Sequence, residues 1–210
     1  MKIKNIIYDF DGTIADTVGA WINIFENIGK KIGSKKINAQ TLARVRNEGL
    51  RSAVKDLGIF GSFVMFFAIK KARKELGKKM SELLPFSGMS EVLQKLHDEG
   101  FHQEMVTSNT QNNVNIFFKY HPLNFFDDID TGSNMFAKAK RIKKVIKIKN
   151  LNPLETVYIG DEIRDIEAAR KAGIRIISVT WGVNSRQALE SMHPDFIVDH
   201  PEEILDIVTN

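Results

Sequence analysis

Two pairs of carboxylates define the chemistry open to this chain. Asp9 and Asp11 stand two apart, directly after the apolar run Ile6-Ile7-Tyr8. Asp161 and Asp165 stand four apart, directly after Val157-Tyr158-Ile159-Gly160. Residues i and i+2 of an extended segment project to one side, so Asp9 and Asp11 are expected to share one small space. Residues i and i+4 at a helix start share a face, which brings Asp161 and Asp165 together. Neighbouring carboxylates repel and raise a pKa unless a cation compensates. The chain has no cysteine, and His97, His102, His121, His193 and His200 are scattered. Converging acids without sulfur or paired histidine favour a hard, oxygen-seeking ion, hence Mg2+ rather than Zn2+. A lone Asp-x-Asp reads more simply as a solvated strand end, and a lone acid at a helix start as an N-cap. Two pairs, each behind an apolar strand, outweigh that reading.

Groups that must converge need rigid elements beneath them, and the pattern supplies these. Residues 2–8 read as a strand running into the Asp9/Asp11 turn. Residues 87–99 read as a helix closed by Gly100, residues 101–107 as a strand, and residues 110–120 as a helix with Pro122 beyond it. Residues 137–149 carry Ile142, Val145, Ile146 and Lys149 at helical spacing. Pro153 precedes a strand at 156–159, and a helix over 162–172 stops at Gly173. Residues 174–180 and 196–198 read as strands and 201–208 as a closing helix. Asp127, Asp128 and Asp130 form a third acidic cluster, which is assigned to a loop. Strands alternating with helices indicate a parallel α/β sheet. Such sheets place ligands at the carboxyl ends of their strands, where both acidic pairs fall. Between residues 16 and 84 the texture changes to helical periodicity punctuated by Gly29, Gly33, Gly58 and Gly77. This is a helical insertion, connected near residues 15–17 and 84–87.

Composition narrows the class. The chain has 210 residues, 43% apolar and 27% charged, as expected of a soluble globular protein with one core and a modest insertion. Its longest apolar stretch, residues 59–69, is far below the ~20 residues of a spanning helix, and the amino-terminal run is too short for a signal peptide. With no cysteine, the expected location is the cytoplasm. Residues 16–84 hold fourteen Lys/Arg against six Asp/Glu, whereas the remainder holds sixteen against twenty. A basic segment beside an acidic one can steer anionic small molecules into a cleft, although solvated helix faces are the simpler reading. No base-reading module or aromatic-interleaved basic stripe is present, so neither a nucleic acid nor a membrane is an expected partner.

Four stretches then fall in a telling order: Asp9-Phe10-Asp11-Gly12-Thr13, Met105-Val106-Thr107-Ser108-Asn109, Phe136-Ala137-Lys138 and Gly160-Asp161-Glu162-Ile163-Arg164-Asp165. They resemble the four motifs of the haloacid dehalogenase superfamily. Thr180-Trp181-Gly182 and Pro194-Asp195-Phe196-Ile197-Val198-Asp199 resemble the closing part of its phosphoglycolate-phosphatase-like members. The resemblance implies a Rossmann-like parallel α/β core over residues 1–15 and 85–210, with a helical cap domain over residues 16–84.

It also implies a mechanism. Asp9 attacks phosphorus and forms an aspartyl-phosphate. Asp11 protonates the leaving oxygen and then takes a proton from the hydrolytic water. Mg2+ is held by the Asp9 carboxylate, the Asp11 main-chain carbonyl and Asp161, while Asp165 holds a water on the ion or orients the lysine. The Thr107 hydroxyl and the Ser108 N–H bind phosphoryl oxygens, with Asn109 beside them. Lys138 adds positive charge, in competition with Lys140 of the same lysine-rich helix. Gly12 permits a sharp turn at the phosphate.

Within this superfamily dehalogenases lack an acid at the position of Asp11, so phosphoryl transfer is implied. The substrate class is a small phosphorylated metabolite, phosphoglycolate by similarity. Sugar phosphomutases carry a histidine about where Trp21 stands, and phosphonate-cleaving members use a lysine in the insertion, where Lys30, Lys31, Lys35 and Lys36 occur. A phosphosugar mutase and a non-catalytic phospholigand-binding protein are the alternatives. Arg44, Arg46 and Arg51 are read as lying between two cap helices, with Arg46 as the substrate contact. Phe60, Phe63, Phe66 and Phe67 read as cap core or as a dimer contact; a monomer or a homodimer is expected.

Overall fold

The computed structural model describes residues 2–31, 39–49, 58–132 and 137–209. Gly33, Lys35, Lys36, Arg51 and Phe136 lie outside the described residues, as do the side chains of Phe60, Phe63 and Phe66. The strands are β1 (Asn5–Tyr8), β2 (His102–Thr107), β3 (Asp128–Thr131), β4 (Thr156–Gly160), β5 (Arg175–Val179) and β6 (Phe196–Val198). The helices are α1 (Val18–Lys31), α2 (Ala39–Glu48), α3 (Gly58–Gly77), α4 (Met89–Asp98), α5 (Gln111–Tyr120), α6 (Lys138–Ile148), α7 (Ile163–Ala172), α8 (Arg186–Glu190) and α9 (Glu203–Thr209).

The strands form one parallel sheet in the order β3-β2-β1-β4-β5-β6. β1 and β4 are buried along their whole length, because helices cover both faces of a parallel sheet. The period of two sorts successive residues into two layers. Ile6 and Tyr8 join Met105, Ile159 and Val179, packed with Leu93 and Leu96 of α4 and Phe117 of α5. Ile7 joins Val106, Tyr158 and Ile176, packed with Ile142 of α6 and Ile166 of α7. Each fully buried aliphatic or aromatic side chain contributes about 1.5–3 kcal/mol, so the central strands are clamped from above and below.

Element boundaries fall close to those expected from the sequence, with two corrections. Asp128-Ile129-Asp130-Thr131, expected as a loop, is the edge strand β3, in register with β2 through Glu104↔Asp128 and Thr107↔Thr131. An edge strand pairs on one side only and needs no continuous apolar run. Helix α8 was not expected; at five residues it is too short to display a helical period, although Ser185 caps it by accepting from the Ala188 N–H.

The connections into and out of the helical stretch lie side by side. The Asp16 N–H donates to the Leu84 carbonyl at 2.9 Å, and the Phe86 N–H to the Ile14 carbonyl at 2.9 Å. Helices α1 and α3 pack together. Ile24, Ile28, Ala72 and Leu76 are continuous with the first apolar layer. Arg44 and Arg46 stand inside α2 rather than between helices, because the helical run 39–48 includes them. Among the described residues no helix is long and apolar enough to cross a membrane.

Candidate active site

Strand register brings the motif residues to one edge. Tyr8 ends β1 opposite Met105 of β2 and Ile159 of β4, so the next residues of all three chains emerge together. The Asp9 N–H still donates to the Ile159 carbonyl at 2.9 Å, which prolongs the sheet by one bond. This is the carboxyl edge of the central strands, where open α/β sheets bind ligands.

Asp9 is buried at that edge. Its Oδ1 accepts from the Phe10 N–H at 2.8 Å, and its Oδ2 pairs with the Lys138 ammonium. Burial pushes the Asp9 carboxyl up to about 7; the Lys138 charge opposes the rise and Asp165 adds to it. Lys138 Nζ also reaches Asp165 Oδ1 at 2.5 Å and stands 5.6 Å from the Tyr158 ring centre. Burial would lower the lysine pKa, but Asp165 and Asp9 outweigh it and hold the ammonium charged. Lys140 is exposed, so Lys138 is the lysine of the site. The sequence held a signal for this: 138, 142 and 145 fall on one helical stripe with Ile142 and Val145, and 140 does not.

Asp161 completes the acidic group. Thr13 Oγ1 donates to its Oδ1 at 2.9 Å and the Val183 N–H to its Oδ2 at 2.7 Å. Two glycines make room for it. A Cβ on Gly12, at φ 76°, would stand 2.3 Å from Asp161 Oδ2, and a Cβ on Gly182 2.2 Å from Asp161 Cβ. Gly12 therefore serves the acid across the cleft, through close approach as well as through its positive φ. Asp165 receives the Glu162 N–H at 3.0 Å in a capping box that begins α7.

One carboxylate oxygen from each of Asp9, Asp161 and Asp165 lies within 4.8 Å of the others. Burial pushes the Asp161 carboxyl well above the usual range, and the charges of Glu162 and Asp165 push it further. Lys138 pairs with Asp9 and Asp165 and Arg164 with Glu162, and with Asp161 grouped beside them the buried space holds a negative excess. An all-oxygen, anionic donor set of this kind fits a hard divalent cation such as Mg2+.

Asp11 takes a different set of partners. Asn109 Nδ2 donates to both its oxygens, at 3.1 and 2.9 Å, and Trp21 Nε1 donates to Oδ1 at 3.4 Å. Burial raises its pKa, against these hydrogen bonds. The two carboxylates of the first pair have separate partners, Asp9 with Phe10 and Lys138 and Asp11 with Asn109 and Trp21. The regular strand ends at Tyr8, Asp11 forms an isolated bridge with Ala15, and the turn runs over residues 12–14.

Thr107 ends β2 and Ser108 and Asn109 follow it, all buried. Thr107 Oγ1 accepts from the Asn109 N–H at 3.0 Å. The Thr107 carbonyl accepts from Arg141 Nη1 at 2.5 Å, and Arg141 also grips Asp130 of β3. Asn109, expected at the substrate, has its side chain engaged with Asp11, the Thr110 N–H and Asn113. The main chain of Arg46 is linked to the site through Asn184, whose N–H donates to the Asp161 carbonyl at 3.3 Å. Arg46 is exposed in the last turn of α2, and its carbonyl accepts from Asn184 Nδ2 at 3.0 Å. Sequence reasoning passed over Trp21 as an acid-holding residue, Arg141 as a clamp and Asn184 as a link; none carries a periodic or motif signal.

The haloacid dehalogenase-like hydrolase family matches residues 6–179, a span containing the whole acidic group and its lysine, and the chain belongs to that family. It is 28% identical over 208 residues to a phosphoglycolate phosphatase of Synechococcus elongatus, covering 99% of this chain and 98% of the relative. It is 22% identical over 213 residues to the pyrophosphatase PpaX of Bacillus mycoides, covering 100% and 98%. The fold matches a crystal structure described as a predicted phosphatase from Clostridium acetobutylicum, with TM-score 0.84, 22% identity and coverage of 100% and 99%.

Proposed function

We propose that this enzyme is a Mg2+-dependent phosphatase that hydrolyses small phosphomonoesters through an aspartyl-phosphate on Asp9. The observation that carries the reading is the buried Asp9 carboxylate, paired with Lys138 at the end of the central strand and grouped within 4.8 Å with Asp161 and Asp165. The family and the names of its relatives support the class.

In the first half-reaction an Asp9 oxygen attacks phosphorus as the bond to the leaving oxygen breaks, and Asp11 gives that oxygen a proton. In the second, Asp11 takes a proton from water, the water oxygen attacks phosphorus, and the Asp9–phosphorus bond breaks. Lys138, the Thr107 hydroxyl and the Ser108 N–H offset charge on the phosphoryl oxygens. Asp9, Asp161 and Asp165, with the Asp11 carbonyl, would hold the cation, whose chemistry is to screen the anionic nucleophile from the anionic substrate.

Residues 16–84 act as a cap domain over the core of residues 1–15 and 85–210, and this cap selects the leaving group. Phosphoglycolate is the first substrate to assay, on the strength of the cyanobacterial relative. A cytoplasmic enzyme, monomeric or homodimeric, is the simplest form of this reading. Trp21 at the position of the mutase histidine argues for hydrolysis over isomerisation. The test is release of phosphate from an aryl phosphate with and without Mg2+. Cation-dependent release is expected, and a wild-type protein with no activity on any phosphomonoester would overturn the reading.

A further inference from the structure

Arg141, in the first turn of α6, serves no step of the chemistry above. Its side chain is 12% exposed and reaches across to the end of β2 and to β3. Nη1 donates to the Thr107 carbonyl at 2.5 Å and to the Gly132 carbonyl at 3.3 Å. Nη2 donates to the Asp130 carbonyl and, at 2.9 Å, to Asp130 Oδ1. The other oxygen, Asp130 Oδ2, is buried and meets no donor among the described residues. Gly132 leaves room for the planar group: a Cβ there would stand 3.0 Å from Arg141 Nη1 and 3.1 Å from its Cζ. A guanidinium held at both terminal nitrogens is a rigid fork rather than a movable point charge.

What the fork grips decides what it can do. The Thr107 carbonyl and the Ser108 N–H belong to one peptide plane, and that peptide is trans, so the two groups point in opposite directions. The carbonyl points towards β3: the Gly132 N–H donates to it at 3.2 Å, continuing the ladder in which Thr107 faces Thr131. The Ser108 N–H therefore points to the other side of β2, where β1 lies in the sheet. β1 runs in register with β2 as far as Tyr8↔Met105, and Asp9, Phe10 and Asp11 emerge next on that side. Two donors on one carbonyl, one of them charged, strengthen the N–H of the same peptide as a donor, because linked hydrogen bonds polarise one another. Lys138 stands three residues before Arg141 on the same helix, hence on a neighbouring part of its surface, so α6 sets the lysine and the amide together.

We infer that Arg141 is a positioning residue for phosphoryl transfer, which locks the Thr107–Ser108 peptide so that the Ser108 N–H is aimed at the phosphoryl oxygens, with Asp130 as the anchor of the guanidinium. The third acidic cluster of the chain thereby contributes one member to the reaction. A donor aimed before the substrate arrives needs no reorganisation while charge develops. The inference rests on the phosphatase reading, in which that N–H offsets charge on the transferring group.

The experiment measures kcat and KM for p-nitrophenyl phosphate with Mg2+, inhibition by orthovanadate and by phosphate, and thermal unfolding. Arg141→Met is expected to lower kcat by about 10-fold, less than the roughly 10^2–10^3-fold of deleting an oxyanion donor outright, with KM changed by less than about twofold. Vanadate, whose equatorial oxygens resemble those of the transferring group, should inhibit more weakly by a factor similar to that in kcat, and phosphate by a smaller one. Arg141→Lys keeps the charge without the fork and should recover part of the loss. Asp130→Asn should lose less than Arg141→Met. A lower melting temperature in Arg141→Met with kcat and vanadate inhibition unchanged means that the side chain only staples β3 to β2, and overturns the inference; a loss confined to KM does the same. Both results leave the phosphatase reading intact. A wild type inactive on every phosphomonoester overturns that reading and the inference with it. If Arg141→Met does not fold, the other two variants decide, and wild-type kcat in both overturns the inference.

Discussion

The carboxyl edge of the sheet and the helical stretch that follows it are built by different rules. At the sheet edge, side chains are fixed by other side chains and by N–H groups of the emerging strands: Asp9 by Phe10 and Lys138, Asp161 by Thr13 and Val183, Asp165 by Glu162. The helical stretch meets the core through the Trp21 bond to Asp11, through apolar packing of Ile24, Ile28, Ala72 and Leu76, and through main-chain carbonyls. Val45 and Arg46 accept from Asn184, and Arg73 accepts from Asn113. A carbonyl is the same on every residue, so the helices can change their side chains without losing these ties. One region has its residue types dictated by side-chain contacts, whereas the carbonyl ties of the other leave residue type open.

Substitutions can break this contrast, beginning with the largest effect. Asp9→Asn, which preserves shape and removes the anionic nucleophile, should reduce phosphate release by about 10^4-fold or more; residual activity near wild type would move the nucleophile elsewhere. Lys138→Met strands two buried carboxylates, and denaturant unfolding should show a loss of about 3–5 kcal/mol. This loss is pH-dependent. The Asp9 pKa, raised from 3.8 to about 7, means that the folded state binds a proton the unfolded chain does not. The associated stability is full below the unfolded value and is lost as pH rises through about 7. Lys138→Met should therefore unfold more readily at pH 8 than at pH 5, and by a wider margin than wild type.

Asn109→Ala removes the amide that donates to both Asp11 oxygens, leaving Trp21, and should cost about 10^2-fold in kcat with little change in KM, the range of a misplaced general acid. Asn184→Ala tests the other region. It removes the amide that donates to the Val45 and Arg46 carbonyls, which keep the Gly49 and Ser185 N–H groups, and leaves the Ile163 N–H without its side-chain acceptor; thermal unfolding should report about 1–3 kcal/mol. The smallest effect belongs to Arg46→Ala. With the side chain exposed, KM should change by less than about twofold, as for a surface charge; a larger rise would return Arg46 to the substrate site.

Much of the edge was legible because spacing and local structure coincide there. Asp161 and Asp165 converge as i, i+4 spacing at a helix start requires, and Gly100 and Gly173 end their helices at φ 81° and 78°. The failures have equally local causes. β3 is held by a neighbour rather than by its own apolar content, so Asp128–Thr131 carried no signal. Asp11 is held by Asn109 and Trp21, contacts distant in sequence that local spacing does not carry.

The sequence by itself determined the parallel α/β class, the positions of the acids at strand ends and the hard-oxygen character of the site, because these follow from periodicity, spacing and residue type within short windows. Tertiary structure alone decided that Asp11 turns to Asn109 and Trp21 and that Gly12 and Gly182 clear space for Asp161. Those facts depend on contacts between residues far apart in the chain, which only strand register and helix packing bring together.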